Sequence, residues 1–169
     1  NLWFFLSDPE SKHQFIFDTG SSWLWAGVEG CEGCPSTEKL PQAQITNCTD
    51  SQSLHYGSGS INGDVCQTRV SVTHNKDQAV NDMRMISVKK AALEGMSNTD
   101  WDGIVGLLPT SDSGADLLVN VMKQQGIIQT AAFTVNYVDS KYGSTITFGG
   151  FDKEYVSTID QFTFTELYD

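Results

Sequence analysis

The sequence predicts an all-β domain that carries one main helix. Apolar residues occur in short stretches that mostly follow a period of two, and turn-forming residues separate these stretches about every 8 to 12 positions. The chain has 169 residues, which suits a single domain with one sizeable core. Hydrophobic residues make up 39% of the chain and charged residues 18%, a balance typical of a globular protein.

The predicted strands begin near the amino terminus. Residues 14–17 form an apolar stretch that ends at Asp18, and a second apolar stretch follows at 23–26. Glycines between two β-prone segments predict a hairpin over 55–64 with a mobile tip. Further strands are predicted, in chain order, at 70–73, 83–88, 133–136, 144–148 and 159–164.

Two other segments are predicted to be non-strand. Residues 30–53 are rich in Gly, Ser, Thr, Pro and Asn, a composition typical of a surface loop. Residues 115–125 form the predicted helix, because their apolar positions share one helical face. Gly126 follows the last turn, and three residues could cap the first turn: Ser111, Asp112 or Ser113.

The charge of the chain excludes two classes of partner. Asp and Glu number 21 against 10 Lys and Arg, which gives a formal net charge of -11. Such a field repels phosphate backbones and anionic lipid surfaces. The longest apolar runs are far shorter than the roughly 20 residues that span a bilayer. We therefore expect neither nucleic acid nor membrane as a partner.

The four cysteines, Cys31, Cys34, Cys48 and Cys66, leave two interpretations. A four-thiolate zinc site is one, since the first two have CxxC spacing, but the other pair lacks a second such knuckle. Two disulfides are the other, and proximity in sequence favours Cys31–Cys34 and Cys48–Cys66. Asn47 begins an Asn-Cys-Thr glycosylation sequon. Both features fit an oxidising compartment.

Asp18 is the first candidate catalytic residue. It follows an apolar strand and is itself followed by Thr19, Gly20 and Ser21. Burial raises the pKa of a carboxyl group, whereas N–H and hydroxyl donors lower it, so this position allows the acidity to be tuned. The alternative is an aspartate that only closes a turn between two strands.

Two more segments have a chemical and a structural interpretation. The glycine-rich hairpin bears Tyr56, whose ring and O–H could close over a cleft, although an ordinary surface hairpin has the same pattern. Residues 101–107 place an aromatic residue before a turn and an apolar strand, which a core strand would also explain.

Together these segments resemble the N-terminal lobe of the pepsin-like aspartic proteases. The matching motifs occur in that family's order, with approximately its spacing, and the resemblance covers nearly the whole chain. They are Phe17-Asp-Thr-Gly-Ser-Ser22 followed by Leu24-Trp25, Tyr56-Gly-Ser-Gly-Ser60 followed by Gly63, Asp102-Gly-Ile-Val-Gly-Leu107, and Phe148-Gly-Gly-Phe-Asp152. The resemblance implies that residues 1–169 form a single N-terminal lobe of a two-lobed enzyme.

The resemblance also implies roles for the residues of the first motif. Asp18 would be the first catalytic aspartate, with Gly20 in its triplet and Ser21 hydrogen-bonded to its carboxylate. Thr19 would belong to a hydroxyl network between the two lobes. Trp23 departs from the family's pattern, which commonly has Asn there.

Substrate-binding roles follow from the other motifs. Tyr56 would be the flap tyrosine and Trp25 its hydrogen-bond partner. Gly57 and Ser58 would contact the substrate backbone. The apolar pocket before the scissile bond would be lined by Ile16, Trp101 and Ile104.

The resemblance implies an aspartic endopeptidase that is incomplete without a second lobe. Its substrate would be a peptide or protein, cut beside hydrophobic residues at acidic pH, in a secreted or lysosomal/vacuolar setting. The C-terminal lobe, with its own catalytic Asp, is absent from this chain, and Asp112-Ser-Gly114 is no substitute because no apolar strand precedes it. No cofactor is expected, and no metal, since the histidines lack ligand spacing. The alternative function is a non-catalytic peptide-binding or scaffold module.

Overall fold

The computed structural model describes residues 3–6, 12–34, 39–73, 75–94, 100–111, 114–138 and 143–166. Within these ranges the chain forms nine strands: β1 Trp3–Leu6, β2 Lys12–Asp18, β3 Leu24–Glu32, β4 Ser51–Tyr56, β5 Gly59–Ser71, β6 Val80–Leu93, β7 Gly103–Gly106, β8 Phe133–Asn136 and β9 Thr145–Phe148. One α-helix, α1, spans Leu118–Gln124, and three short 3-10 helices span Gln42–Gln44, Lys76–Gln78 and Ile159–Gln161. The predicted β-rich fold class is confirmed.

Seven of the strands form one sheet in the order β1-β2-β7-β3-β6-β5-β4. Because β1 also pairs with β5, the sheet curls and closes on itself, and β4 is left as an edge strand. β7 lies between β2, to which it is parallel, and β3, to which it is antiparallel. Strands β8 and β9 form a separate antiparallel hairpin.

Strand β3 shows how the sheet buries apolar residues on both faces, because successive side chains point to opposite sides. Leu24, Ala26 and Val28 belong to one cluster, which α1 completes with buried side chains. Trp25 belongs to a second cluster with Trp23 and residues of β6 and β7, and its side chain is fully buried. Each large apolar side chain buried in this way stabilises the fold by about 1.5–3 kcal/mol.

The helix is shorter than predicted and begins differently. It starts at Leu118, and Leu117 occupies the cap position without a side-chain hydrogen bond. The Ser111 hydroxyl donates to the Ala115 carbonyl oxygen at 2.6 Å and therefore does not cap the helix. The other two predicted caps, 112 and 113, lie outside the described residues, as does most of the Asp-Ser-Gly triplet. Gly126 follows the helix at φ +74°, as its position predicts.

The strand predicted at 159–164 is wrong. Ile159–Gln161 is a 3-10 helix whose first turn is closed by a reciprocal capping box between Thr158 and Gln161. These local hydrogen bonds satisfy the backbone that a strand would have paired with a neighbour. Ile159 and Phe164, which suggested a buried strand, are 58% and 75% exposed.

Two other boundaries also differ. β5 ends at Ser71, whose hydroxyl donates to the Thr73 carbonyl oxygen, so the strand predicted at 70–73 stops early. The segment 30–53 is only partly a surface loop, because Leu40 is buried and bridges Val28 of β3. Among the described residues, no helix has the length and apolarity needed to cross a bilayer.

Both disulfides have the predicted pairing. Cys31 is joined to Cys34, and Cys48 to Cys66 on β5. The four-thiolate zinc site is therefore wrong, because every ligand is used in a disulfide. The second bridge runs beside two hydrogen bonds that the Thr49 N–H and hydroxyl donate to the Val65 carbonyl oxygen, so it fixes the loop to the second strand of the β4–β5 hairpin.

We expect Cys48→Ser with Cys66→Ser, which removes the second bridge, to lower the free energy of unfolding by about 3 kcal/mol. The cause is the larger conformational entropy of an unfolded chain in which a loop of this length is no longer closed. Chemical denaturation measures the loss, and peptide mapping without reduction checks both bonds. A stability equal to that of the intact protein, or four free thiols, would contradict the prediction.

Candidate active site

Asp18 is the last residue of β2 and lies in a turn held by backbone hydrogen bonds. The Gly20 N–H donates to Asp18 Oδ1 at 2.9 Å. From the end of β7, the Leu107 N–H donates to the Asp18 carbonyl oxygen at 2.8 Å and the Leu108 N–H to the Ser21 carbonyl oxygen at 2.9 Å. Asp18 is half-buried, whereas Thr19 and Gly20 are exposed. The turn thus presents a carboxylate at a fixed place while leaving it open to a ligand.

Gly106 explains how β7 comes so close to this turn. A Cβ at this position would lie 2.6 Å from the Trp23 nitrogen and 2.7 Å from the Ser21 oxygen. Only a residue without a side chain leaves that space to the backbone of the turn. The second glycine of Asp-Gly-Ile-Val-Gly-Leu is therefore required for the packing of β7 against the Asp18 turn.

Trp25 and Tyr56 form a hydrogen-bonded pair, and the charge of Asp18 acts on the Tyr56 phenol. The Trp25 Nε1–H donates to the Tyr56 hydroxyl oxygen at 2.9 Å, and the ring centroids are 6.4 Å apart. Trp25 is fully buried and Tyr56 half-buried. The structure thus contains the contact that the resemblance implies between these two residues.

The Ser21 hydroxyl corrects one expectation. It is buried and makes no hydrogen bond, so the expected bond to the Asp18 carboxylate is not formed. The Asp18 Oδ1 atom accepts from the Gly20 N–H instead. The Ser21 oxygen lies close enough to the Tyr56 phenol to affect its acidity.

Burial raises the pKa of the Tyr56 phenol above its ordinary value. The Trp25 N–H, which donates to the phenol oxygen, and the neighbouring Ser21 hydroxyl oppose this effect, and the negative charge of Asp18 adds to it. The phenol therefore remains a neutral O–H donor well beyond neutral pH.

We expect spectrophotometric titration to show one tyrosine that ionises above the ordinary tyrosine pKa, and we expect Tyr56→Phe to remove it. Because the raised pKa favours the neutral phenol in the folded state, its contribution to stability is present below the ordinary tyrosine pKa of about 10 and is lost as the pH rises through the folded value. An unchanged late titration in Tyr56→Phe would contradict this assignment.

The hairpin of β4 and β5 carries Tyr56 beside the Asp18 turn. At its tip, Gly57 is exposed and has no neighbour within 4 Å of where a Cβ would lie. Ser58 is half-buried, and its carbonyl oxygen accepts from the Glu94 N–H at 2.6 Å. The tip is therefore open on one side and attached to the end of β6 on the other.

Two of the three predicted pocket residues pack with Trp25, and the third lies beside one of them on the neighbouring strand. Ile16 and Ile104 are register partners across the parallel strands β2 and β7, and Ile104 is also opposite Trp25. Trp101 packs edge-on against Trp25, with ring centroids 5.7 Å apart. Ile16 lies two residues before Asp18 on the same face of β2 and is 38% exposed. Apolar surface thus adjoins the carboxylate.

Asp102 and His13 have no role that the sequence pattern predicts. Both are buried, and Asp102 Oδ2 lies 3.4 Å from His13 Nδ1. The sequence indicates the buried carboxylate only through the position of Asp102 inside the otherwise apolar stretch 101–107. Among the described residues, no three His, Cys, Asp or Glu side chains are grouped as metal ligands would be.

Asn47 lies on the surface. It has a positive φ of 48° and its Nδ2 donates to Gln67 Oε1 at 2.6 Å. Its side chain is exposed, as a glycosylation acceptor requires.

The comparison with known proteins agrees with this geometry. The sequence profile of the family described as eukaryotic aspartyl protease matches residues 6–166. The chain belongs to the eukaryotic aspartyl protease family. Pepsin A of Suncus murinus is 31% identical over 89% of this chain, and gastricsin of Macaca fuscata fuscata is 32% identical over 87%. Cathepsin E of Mus musculus is 28% identical over 90%.

This aspartyl protease lobe is similar to only part of each relative. The aligned region covers 40% of the pepsin A and cathepsin E sequences and 41% of the gastricsin sequence. The chain therefore spans well under half the length of the curated relatives that it matches.

Proposed function

We propose that this lobe supplies one of the two catalytic carboxylates of an aspartic endopeptidase. The observation that carries the proposal is the placement of Asp18. Its turn is fixed by backbone hydrogen bonds from β7, its negative charge acts on the Tyr56 phenol, and Ile16 provides apolar surface two residues earlier on the same strand face. A scaffold protein would not need this combination.

In this mechanism a second aspartate shares one proton with Asp18. Two carboxyl groups that lie so near each other cannot both ionise, so one is a carboxylate and the other a carboxylic acid. The carboxylate takes a proton from water as the water oxygen attacks the peptide carbonyl carbon, and the carboxylic acid donates its proton to the oxyanion that develops. The tetrahedral intermediate then collapses with cleavage of the C–N bond and protonation of the leaving amine.

The second aspartate would come from a C-terminal lobe, as the length of the relatives suggests. Thr19, which would contact that lobe, is exposed and lines a cavity of about 310 Å³. Val135 and Tyr137 also line this cavity and are 45% and 87% exposed. Apolar surface of this kind supports a partner that packs beside Asp18.

We propose a peptide or protein substrate with hydrophobic side chains next to the cleaved bond. Ile16, Trp101 and Ile104 would contact one such side chain, and the polar backbone at Gly57 and Ser58 would bind the substrate main chain. The need for one protonated carboxyl favours acidic pH. Two disulfides and the exposed Asn47 support a glycosylated protein that is secreted or lysosomal/vacuolar.

The test is hydrolysis of an unfolded protein from about pH 3 to 7 by this chain alone and by the chain joined to its second lobe. We expect cleavage only by the joined form, strongest in acid and beside hydrophobic residues. If the joined form binds peptides but never cleaves them, the protease proposal fails and the alternative of a non-catalytic peptide-binding module replaces it.

Tyr56→Ala is expected to reduce turnover by the joined form by about 10- to 100-fold, because it removes the flap hydroxyl and the ring that would close the cleft. The effect on stability should be smaller, since Tyr56 is only half-buried. Kinetics and thermal melts on the same samples measure both effects. A large loss of melting temperature with normal turnover per folded molecule would make Tyr56 a structural residue.

A further inference from the structure

Asp102 is the only buried carboxylate among the described residues, with 6% of its surface exposed. Burying a carboxylate is costly unless partners compensate for its lost hydration. Its Oδ2 atom accepts a hydrogen bond from the Gln14 N–H at 2.7 Å and lies 3.4 Å from Nδ1 of the buried His13. Burial lowers the pKa of Lys39, and the Asp102 charge partly opposes this effect.

The backbone of Asp102 joins three strands at one point. Its N–H donates to the Gln14 carbonyl oxygen at 2.7 Å, and its carbonyl oxygen accepts from the Gly27 N–H at 3.2 Å. Asp102 therefore binds the backbone of Gln14 on β2 at two points. Its carboxylate accepts from the Gln14 N–H, and its own N–H donates to the Gln14 C=O. The bond to the Asp102 carboxylate also gives the part-buried Gln14 N–H a hydrogen-bond partner.

The two bonds between Asp102 and Gln14 lie at the opposite end of the β2–β7 pairing from Asp18. The parallel register of β2 and β7 begins with Phe15 beside Gly103 and ends with Asp18 beside Gly106. Gln14 and Asp102 immediately precede the first pair. A shift at that end would move the whole strand, and a slip by one residue would turn Asp18 to the other face of the sheet.

We propose that Asp102, paired with His13, is a positioning residue that sets the register of β2 against β7 and thereby holds Asp18 in its working position. The inference deepens the proposed protease function, on which its catalytic consequence rests. Asp102 itself touches no reacting atom. It acts on catalysis through the backbone of β2.

The test compares hydrogen–deuterium exchange of residues 15–22 in the full protein and in three variants. Asp102→Asn keeps the size of the side chain and removes its charge, and His13→Phe removes the imidazole while leaving the bond from Asp102 to Gln14. Asp64→Asn is the matched control, because it breaks an exposed ion pair with Lys89. We expect exchange about tenfold faster in both test variants and unchanged in the control. Equal exchange in all three would overturn the proposal.

Catalysis provides a second measurement, with Met83→Ala as a variant destabilised elsewhere in the core. In the joined enzyme we expect His13→Phe to lower kcat per folded molecule about tenfold, and Met83→Ala to leave it unchanged. Faster exchange at 15–22 with normal kcat would show a purely structural role and overturn the positioning assignment. If the unmodified enzyme never cleaves, the protease proposal fails, and exchange alone decides whether Asp102 sets the register.

If Asp102→Asn does not fold, His13→Phe decides the question alone. The two single changes should also be non-additive, since they interrupt one interaction. Additive effects of the two changes on exchange would overturn the pairing.

Discussion

Asp18→Asn should lower the turnover of the joined enzyme by at least about three orders of magnitude, because it removes a group that exchanges a proton with water during the reaction. Binding of a peptide should change little, since asparagine has nearly the same size and keeps an oxygen that can accept from the Gly20 N–H. The melting temperature should stay close to that of the unmodified protein. Single-turnover kinetics together with a peptide-binding titration measure the two effects separately.

The control for this prediction is Asp50→Asn, which changes an exposed aspartate outside the site. Its turnover should be normal. Cleavage by Asp18→Asn at the rate of this control would show that Asp18 is not a catalytic residue.

Gly106→Ala should destabilise the lobe by about 3 kcal/mol or more, because the new methyl group would overlap the backbone of the Asp18 turn. The clash involves the Ser21 oxygen and the Trp23 nitrogen, and neither can move without breaking the hydrogen bonds that hold the turn. Chemical denaturation measures the loss.

Gly150→Ala is the matched control for that change. Nothing lies within 4 Å of the Cβ that it would add. We expect its stability to lie within about 1 kcal/mol of the original, with any gain coming from the less flexible unfolded chain. Similar losses in the two variants would mean that close packing at Gly106 does not hold the turn.

The strands around the site could be predicted because their signal is local. Apolar residues up to Phe17, followed at once by polar and glycine residues, indicate both the end of β2 and the turn after it. The segment 159–164 has a similar apolar content, but Thr158 and Gln161 close a 3-10 turn there. Propensity alone does not decide between such competing hydrogen bonds.

The helix illustrates a second limit. Its apolar face was recognised, yet it begins only at Leu118, because Ala115 and Leu117 are buried in a segment that precedes the helix. Tertiary packing shortened an element that periodicity alone would extend.

The candidate site divides in the same way. Asp18 and the Trp25–Tyr56 pair follow from motifs that resemble a known family. The pairing of Asp102 with His13 could not be predicted from those motifs. The Gln14 backbone that Asp102 binds is 88 positions away in sequence, and it becomes a neighbour only when β7 pairs with β2. The unpaired Ser21 hydroxyl likewise depends on how the folded turn orients each donor.

The pH dependence of kcat/KM for the joined enzyme tests the central claim most directly. Two carboxyl groups that share one proton give a bell-shaped profile with its maximum in acid, because activity requires one group ionised and the other protonated. Our account predicts this profile for the unmodified enzyme and no measurable profile for Asp18→Asn. Activity that rises towards neutral pH and stays constant there, or a bell that survives in Asp18→Asn, would contradict it.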